Sequence, residues 1–101
     1  MQNKLEREFQ NKLVIQLKRM FSGAIVLVND FTSIRGFPDI LILYKDKWAS
    51  LECKRGINAS KRPNQEYFVN KLNGMSFARF IYPENREEVL DDLQQSFRAE
   101  G

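Results

Sequence analysis

Two acidic side chains and a lysine stand out in the middle of the chain, on short segments that are otherwise strongly apolar. Asp39 ends the sequence Gly-Phe-Pro-Asp at 36–39, and Glu52 and Lys54 flank the only cysteine, Cys53. Bringing two carboxylates and an ammonium group together at the end of a hydrophobic sheet is costly unless something compensates their charge. A divalent cation bound by the carboxylates would provide that compensation. The pattern therefore predicts metal-assisted hydrolysis.

The composition narrows this chemistry further. The 101 residues contain no histidine and one cysteine, which excludes a Ser-His-Asp triad, a Cys-His pair, a histidine-ligated zinc and an internal disulfide. A metal site must therefore use carboxylates, carbonyls and water, the ligands that suit Mg²⁺ or Mn²⁺. The general base must be a lysine, a carboxylate or the metal-bound water.

The length predicts one small domain, 1–101, with room for a single core. A hydrophobic fraction of 43% and eight phenylalanines are enough for a packed globule. No apolar run reaches the length of a membrane span, and the first residues are polar and charged, so we expect no membrane partner and no signal peptide. The lone cysteine fits a reducing compartment, and a cytoplasmic location is expected.

Basic residues are concentrated before residue 84. Residues 1–83 carry fourteen basic and seven acidic side chains, whereas 84–101 carry two basic and six acidic ones. Such a surplus commonly indicates contact with phosphate, although a solvated surface explains it equally well. The loop after Lys54 is the best candidate for phosphate contact, with an ordinary solvated loop as the alternative. The predicted nucleic-acid contacts are Arg35, Arg55, Lys61 and Arg62.

Hydrophobic periodicity and turn residues predict the elements that position these side chains. A first helix is expected over 3–21 and ends at 22–23. The remaining elements are strands over 24–28, 40–44, 48–53 and 77–82, a helix over 63–72 closed by Asn73-Gly74, and a helix over 83–98. Gly36, in the loop before the second strand, is expected to permit a close approach, with a simple turn as the alternative. The order α-β-β-β-α-β-α predicts an α/β domain with a small mixed sheet flanked by helices.

The register of the central hairpin makes a geometric prediction. A turn at 45–46 places Asp39 directly opposite Glu52. Opposed side chains lie roughly 5 Å apart at Cβ, close enough to share one metal ion. Lys54 projects from the same face as Glu52, because the two are two residues apart on a strand. Taken singly, each residue also suits a turn or the wet face of an edge strand; their shared register and face favour a site.

The first helix supplies a fourth member of this site. Its apolar stripe consists of Leu5, Phe9, Leu13, Leu17 and Met20. The direction of that stripe also contains Glu6, whereas Glu8 points nearly the opposite way. An acidic side chain within an apolar stripe needs a polar partner, although Glu6 is close enough to the terminus to reach solvent. We therefore expect Glu6 at the site, Glu8 at the surface and Gln10 at the margin of the stripe.

These residues together resemble the PD-(D/E)xK nuclease superfamily and, in finer detail, its VRR-NUC branch, the virus-type replication-repair nucleases. That branch shows an early helical Glu followed by a hydrophobic-Gln pair, then G-x-P-D, then E-x-K, then a Gln that opens the next helix. The matching residues are Glu6, Phe9-Gln10, 36–39, 52–54 and Gln65. The resemblance covers about residues 6–72, most of the chain.

The resemblance implies a restriction-endonuclease-like fold and an endonuclease that depends on Mg²⁺ or Mn²⁺. It implies that Asp39, Glu52 and the backbone carbonyl of Cys53 bind the ion. Glu6 would complete the acidic site, through water or a second metal. No small-molecule organic cofactor is expected.

The resemblance also assigns roles to two further side chains and to partners. Lys54 would orient or activate the attacking water and stabilise developing charge, and Gln65 would support Lys54 or that water. Minimal stand-alone members resemble viral or phage proteins that dimerise to cut branched DNA. The expected partners are therefore branched or four-way junction DNA and a second copy of the chain. The expected location is the host-cell cytoplasm if the chain is phage-encoded.

Two other functions stay open at this point. The first is a non-catalytic nucleic-acid-binding subunit on a nuclease-like fold. The second is a restriction-type, sequence-specific endonuclease, which shares the chemistry. The small size of the chain disfavours this second alternative, because little surface is left for reading base edges.

Overall fold

The computed structural model describes residues 3–29 and 34–99. These residues form seven elements in the predicted order: α1 (Lys4–Met20), β1 (Ile25–Val28), β2 (Ile40–Tyr44), β3 (Lys47–Cys53), α2 (Pro63–Met75), β4 (Phe77–Ile81) and α3 (Arg86–Arg98). The strands form one sheet in the order β1-β2-β3-β4. β4 runs parallel to β3, and the other neighbours are antiparallel. The predicted α/β fold with a mixed sheet is confirmed. None of the helices described has both the length and the apolar character needed to cross a membrane.

Helix α1 begins at a side-chain cap and buries one face. The Asn3 side chain accepts a hydrogen bond from the N–H of Glu6 at 2.8 Å, which satisfies one of the donors left unpaired at a helix start. The buried residues of the helix are Phe9, Gln10, Leu13 and Leu17. Leu5 is 63% exposed. The prediction that it belongs to the buried stripe is wrong, because the packed part of the helix begins one turn later.

The two faces of the sheet are covered differently. Helices α1 and α3 cover one face and form the main core with the side chains of the strands that alternate towards them. Helix α2 covers the other face, where Val69 and Leu72 pack on Ala78 of β4 and on neighbouring aromatic side chains. Because side chains alternate along a strand, Cys53 lies in the main core whereas its neighbours Glu52 and Lys54 lie on the α2 side.

The hairpin of β2 and β3 has the predicted register. Tyr44 pairs with Lys47, and four further pairs follow to Ile40 with Leu51. Lys45 makes the tight turn with a φ of 57°. Continuing the same register by one residue places Asp39 opposite Glu52, as predicted.

Two helix boundaries differ from prediction by three residues because asparagine side chains bind neighbouring backbone, whereas the other boundaries differ by at most one residue. Helix α2 runs through Asn73-Gly74 to Met75, and the Asn73 side chain accepts a hydrogen bond from the N–H of Ala78 at 3.2 Å instead of ending the helix. Helix α3 begins at Arg86 rather than at residue 83. Before it, the Asn85 side chain accepts from the N–H of Tyr82 at 2.8 Å and forms a turn.

Ser50 provides a test of packing beneath α2. Its side chain is fully buried on β3, and its hydroxyl has no hydrogen-bond partner among the residues described. Because a buried unsatisfied hydroxyl is destabilising, Ser50→Ala should raise the free energy of unfolding by about 1 kcal/mol, measured by urea denaturation. The exposed Ser60, changed to Ala, is the control and should have no effect. Destabilisation by Ser50→Ala would show that the hydroxyl has a partner.

Candidate active site

The open end of the hairpin brings two carboxyl groups into contact. Asp39 directly precedes β2 and Glu52 is the penultimate residue of β3. Glu52 is only 4% exposed, and Asp39 is half-buried. The two side chains are joined by a hydrogen bond in which Glu52 is the donor. Two carboxyl groups this close cannot both be charged without a compensating cation.

The protonation of this pair follows from burial. Burial, and after it the negative charge of Asp39, raise the pKa of Glu52 to about 9. Burial also raises the pKa of Asp39, but hydrogen bonds from the backbone N–H of Cys53, at 2.9 Å, and from Glu52 oppose this effect. At neutral pH and without a cation, Glu52 therefore keeps its proton.

Gln65 connects the lysine to this acidic pair. Lys54 is 7% exposed, and its Nζ donates to Gln65 Oε1 at 2.7 Å. Gln65 Nε2 donates to Glu52 Oε2 at 3.2 Å. The same Oε1 accepts from the N–H of Arg62 at 3.1 Å and so caps the first turn of α2. Gln65 is therefore in direct contact with Lys54 and with Glu52, and its predicted role in supporting Lys54 or the attacking water stays a prediction.

Glu6 lies at the margin of the site. It is half-buried, and its negative charge contributes to raising the pKa of Asp39 and of Glu52. Glu8 is exposed, so the two acids of α1 are separated as predicted. Within 3–29 and 34–99, no three acidic or thiol side chains converge closely enough to hold a metal ion alone. A cation here would need backbone and solvent oxygens in addition to Asp39 and Glu52.

Pro38 cannot donate a hydrogen bond to the backbone of β3. The N–H of Asn29 donates to the Asp39 carbonyl at 2.6 Å, and the Asn29 side-chain Nδ2 donates to the Pro38 carbonyl at 3.1 Å, so Asn29 binds both carbonyls of this segment. In this register Pro38 is opposite Cys53, and paired residues of this kind normally exchange two N–H···O bonds. Pro38 has no N–H to donate to the Cys53 carbonyl. That carbonyl points to the same side as the Cys53 N–H, which binds Asp39.

The loop that carries Asp39 packs closely against the start of α2. Gly36 has a φ of +86°, and a Cβ atom there would lie 2.7 Å from the backbone carbon of Asn64. A side chain is thus excluded twice, by conformation and by space. The predicted close approach is confirmed, and it brings the segment before Asp39 next to the turn that carries Gln65.

Cys53 itself is not a nucleophile. Its side chain is fully buried in the main core, and burial raises the pKa of the thiol, as do the nearby charges of Asp39 and Glu52. A thiol without access to solvent and without a nearby activating base does not attack substrates. The residue contributes its backbone, whose N–H and carbonyl face the acidic pair.

The predicted phosphate contacts are all exposed: Arg35, Arg55, Lys61 and Arg62. Lys61 lies over two rings of β4 and its following loop, with its Nζ 4.9 Å from the Phe80 centroid and 5.8 Å from that of Tyr82. Sequence reasoning missed this cluster because no aromatic residue occurs in 55–62. Finding the cluster requires the pairing of β3 with β4, which places Phe80 beside Glu52.

Comparisons with family models, with curated proteins and with solved structures gave no match to this chain. The geometry of the acidic pair, Lys54 and Gln65 is therefore the basis for inferring the function of this chain. An α/β sheet that presents a largely buried acidic pair, a lysine and the backbone carbonyl of Cys53 at one end is an arrangement suited to binding a hard divalent cation.

The acidic pair makes the stability of the cation-free protein depend on pH. The pKa of Glu52 is about 9 in the folded protein, above its ordinary value of 4.5. Between these values the folded state retains a proton that the unfolded state releases. The free energy of unfolding should therefore fall as pH rises across this window, by at most about 1.4 kcal/mol per pH unit. Urea denaturation in a chelator over a pH series measures this slope.

Two Glu→Gln variants serve this measurement, one as the test and one as the control. Glu52→Gln removes the titrating group, so its stability should vary much less between these pH values and should exceed that of the wild type at the upper end. Glu66→Gln, on the exposed face of α2, should keep the wild-type slope. An unchanged slope in Glu52→Gln would contradict the assignment of the proton to Glu52.

Two glycine substitutions test the close approach at Asp39. Gly36→Ala should lower the free energy of unfolding by about 1–3 kcal/mol, because it adds both strain and a clash with α2. Gly74 lies within α2 and a Cβ there meets nothing within 4 Å, so Gly74→Ala should raise stability by about 0.5–1 kcal/mol. Chemical denaturation of both variants measures the difference. Equal effects would mean that the loop can move away from Asn64.

Proposed function

We propose that this chain is a metal-dependent endonuclease that hydrolyses phosphodiester bonds in DNA, with branched or four-way junction DNA as the preferred substrate. The observation that carries the proposal is the buried pair of Asp39 and Glu52, which shares one proton beside Lys54. The resemblance to the VRR-NUC branch supports the choice of substrate. In this proposal the chain acts as a homodimer.

The donor set fits Mg²⁺ or Mn²⁺. The carboxylates of Asp39 and Glu52 and the carbonyl of Cys53 are all hard oxygen donors, and Glu6 adds negative charge at the margin. A bound cation would take over the role of the proton that Glu52 holds in the cation-free protein. Such an ion lowers the pKa of a bound water and polarises the phosphoryl oxygen, which makes a histidine base unnecessary.

The remaining residues of the site position a water molecule and stabilise charge. The Lys54 ammonium group is buried and fixed by Gln65. A positive charge held in a poorly hydrated place stabilises negative charge on a phosphoryl group more strongly than one in water. Gln65 keeps the ammonium group and the Glu52 carboxyl at a defined separation, because it binds both. We assign Gln65 as a positioning residue.

The exposed basic side chains would hold the nucleic acid over this site. Arg55 directly follows Lys54, and Arg62, the residue before α2, donates its N–H to Gln65, so both adjoin residues of the site. Lys61 and Arg35 extend this basic surface in the proposal. Contacts of this kind bind phosphates without reading the sequence. A preference based on the shape of the substrate is therefore more consistent with the site than a preference for particular bases.

A cleavage assay tests the proposal directly. The wild type with Mg²⁺ or Mn²⁺ should cleave at least one member of a panel of linear duplex, flap, splayed arm and four-way junction DNA. Asp39→Asn and Lys54→Ala should each reduce the rate by about 100-fold or more, because each removes a group that stabilises the transition state. Full activity in either variant would overturn the assigned site.

The hairpin itself offers matched controls and a second measurement. Asp46→Asn and Lys47→Ala change the same residue types at the opposite, turn end of the strands and should leave cleavage unchanged. Mn²⁺ should raise the melting temperature of the wild type but not that of Asp39→Asn, since a ligand stabilises only the state that binds it. Salt-sensitive DNA binding without cleavage under either metal would identify the alternative, a non-catalytic nucleic-acid-binding subunit.

A further inference from the structure

Strand β1 carries an apolar surface that stays exposed among the residues the structure describes, 3–29 and 34–99. Ile25, Leu27 and Val28 are 55%, 46% and 45% exposed, and Leu43 on the neighbouring strand is 37% exposed. Ile25 and Leu27 pair with Leu43 and Leu41, so these side chains share the face on which α2 covers only β3 and β4. Val28 pairs with the core residue Ile40 and lies on the opposite face, so we refer to Ile25, Leu27 and Leu43 as the β1 patch.

The same strand forms one edge of the sheet built by the described strands. β1 is the first strand of the sheet and has one neighbour among the strands described, β2. Asn29 directs its N–H towards β2, so the alternation of an antiparallel ladder directs the backbone groups of Val26 and Val28 outwards. Natural proteins usually protect such edges with charged side chains. The opposite edge, β4, contains Arg79, whereas 22–29 contains no charged residue.

We propose that a second copy of this chain docks on the β1 patch, with the two β1 strands paired antiparallel about a two-fold axis. This two-fold axis is perpendicular to the sheet. The face that carries the patch in one copy therefore continues into the same face of the other copy. We pair the outward backbone groups of Val26 with those of the partner's Val28, because the alternative of Val26 with its own copy would need the Ala24 N–H, which already binds the Phe21 carbonyl. Leu27 then lies opposite its own copy. The two sheets join into one sheet of eight strands, in which Leu27 and the partner's Leu27 are in contact.

The chemistry of the patch favours this occupant over a nucleic acid. Binding to phosphates requires basic side chains, and the patch and the residues along β1 have none. Two copies that carry a net charge of +3 each can approach at this strand without burying a charge. The edge is also self-complementary, because each outward backbone group of one copy meets a partner of the opposite kind on the other. The inference does not depend on the proposed nuclease activity.

Disulfide trapping tests the predicted register. Leu27→Cys should form a disulfide-linked dimer under mild oxidation, because directly opposed residues of a non-hydrogen-bonded pair have Cα atoms about 4.5 Å apart. Ile25→Cys is equally exposed, but its copies would be displaced by four residues, about 13 Å along the strands, and should not cross-link. The wild type should remain uncross-linked because Cys53 is buried. Equal cross-linking at both positions, or none at Leu27→Cys, would overturn the register.

Sedimentation equilibrium over a concentration series tests the docking itself. The wild type should have the mass of a dimer. Leu27→Lys places like charges directly opposite each other and should weaken the dimer by about 100-fold or more. Ile15→Lys, on α1 and similarly exposed at 54%, should leave the dimer intact. Circular dichroism establishes that both variants are folded. A monomeric wild type, or a Leu27→Lys variant that dimerises like the wild type, would refute the proposal whatever the outcome of the cleavage assay.

Discussion

The structure depends on a constraint imposed at the open end of one hairpin, where two acidic side chains face each other in a largely buried position. Burial disfavours the charged form of both, and their proximity disfavours it further. The fold accommodates this by leaving one proton on Glu52 and by giving Asp39 a backbone hydrogen bond from Cys53. The surrounding features, including the buried lysine and Gln65, are consistent with a site whose charge is completed by a cation.

Four separate elements are needed to build this site. The residue before β2 and the end of β3 provide the acids and the lysine, α2 provides the glutamine, and α1 provides a further negative charge. Gly36 makes the arrangement possible, because it lets the loop before Asp39 lie against the first turn of α2. None of these groups meets the others in an unfolded chain, so the chemistry of the site and the stability of the fold are linked.

Much of this arrangement could be predicted from the sequence because it depends on short-range rules. A tight turn after Tyr44 determines which residues of the hairpin are opposite each other, and strand alternation adds Lys54. The helical period separates Glu6 from Glu8. The errors occurred where a tertiary contact competes with a local signal: Leu5 matches the apolar stripe but lies beyond the packed sheet. The Asn73 side chain binds β4 instead of ending α2.

Gln65 links the motion of the Lys54 side chain to the opening of the first turn of α2. Its Oε1 accepts hydrogen bonds from both Lys54 and the N–H of Arg62, so it is at once the cap of α2 and the fixed point of the ammonium group. Helix ends fray on a faster timescale than folded domains open. Each opening of this first turn would release Lys54 from Glu52. The rigidity of the site is therefore set by a single helical turn rather than by the global stability of the sheet.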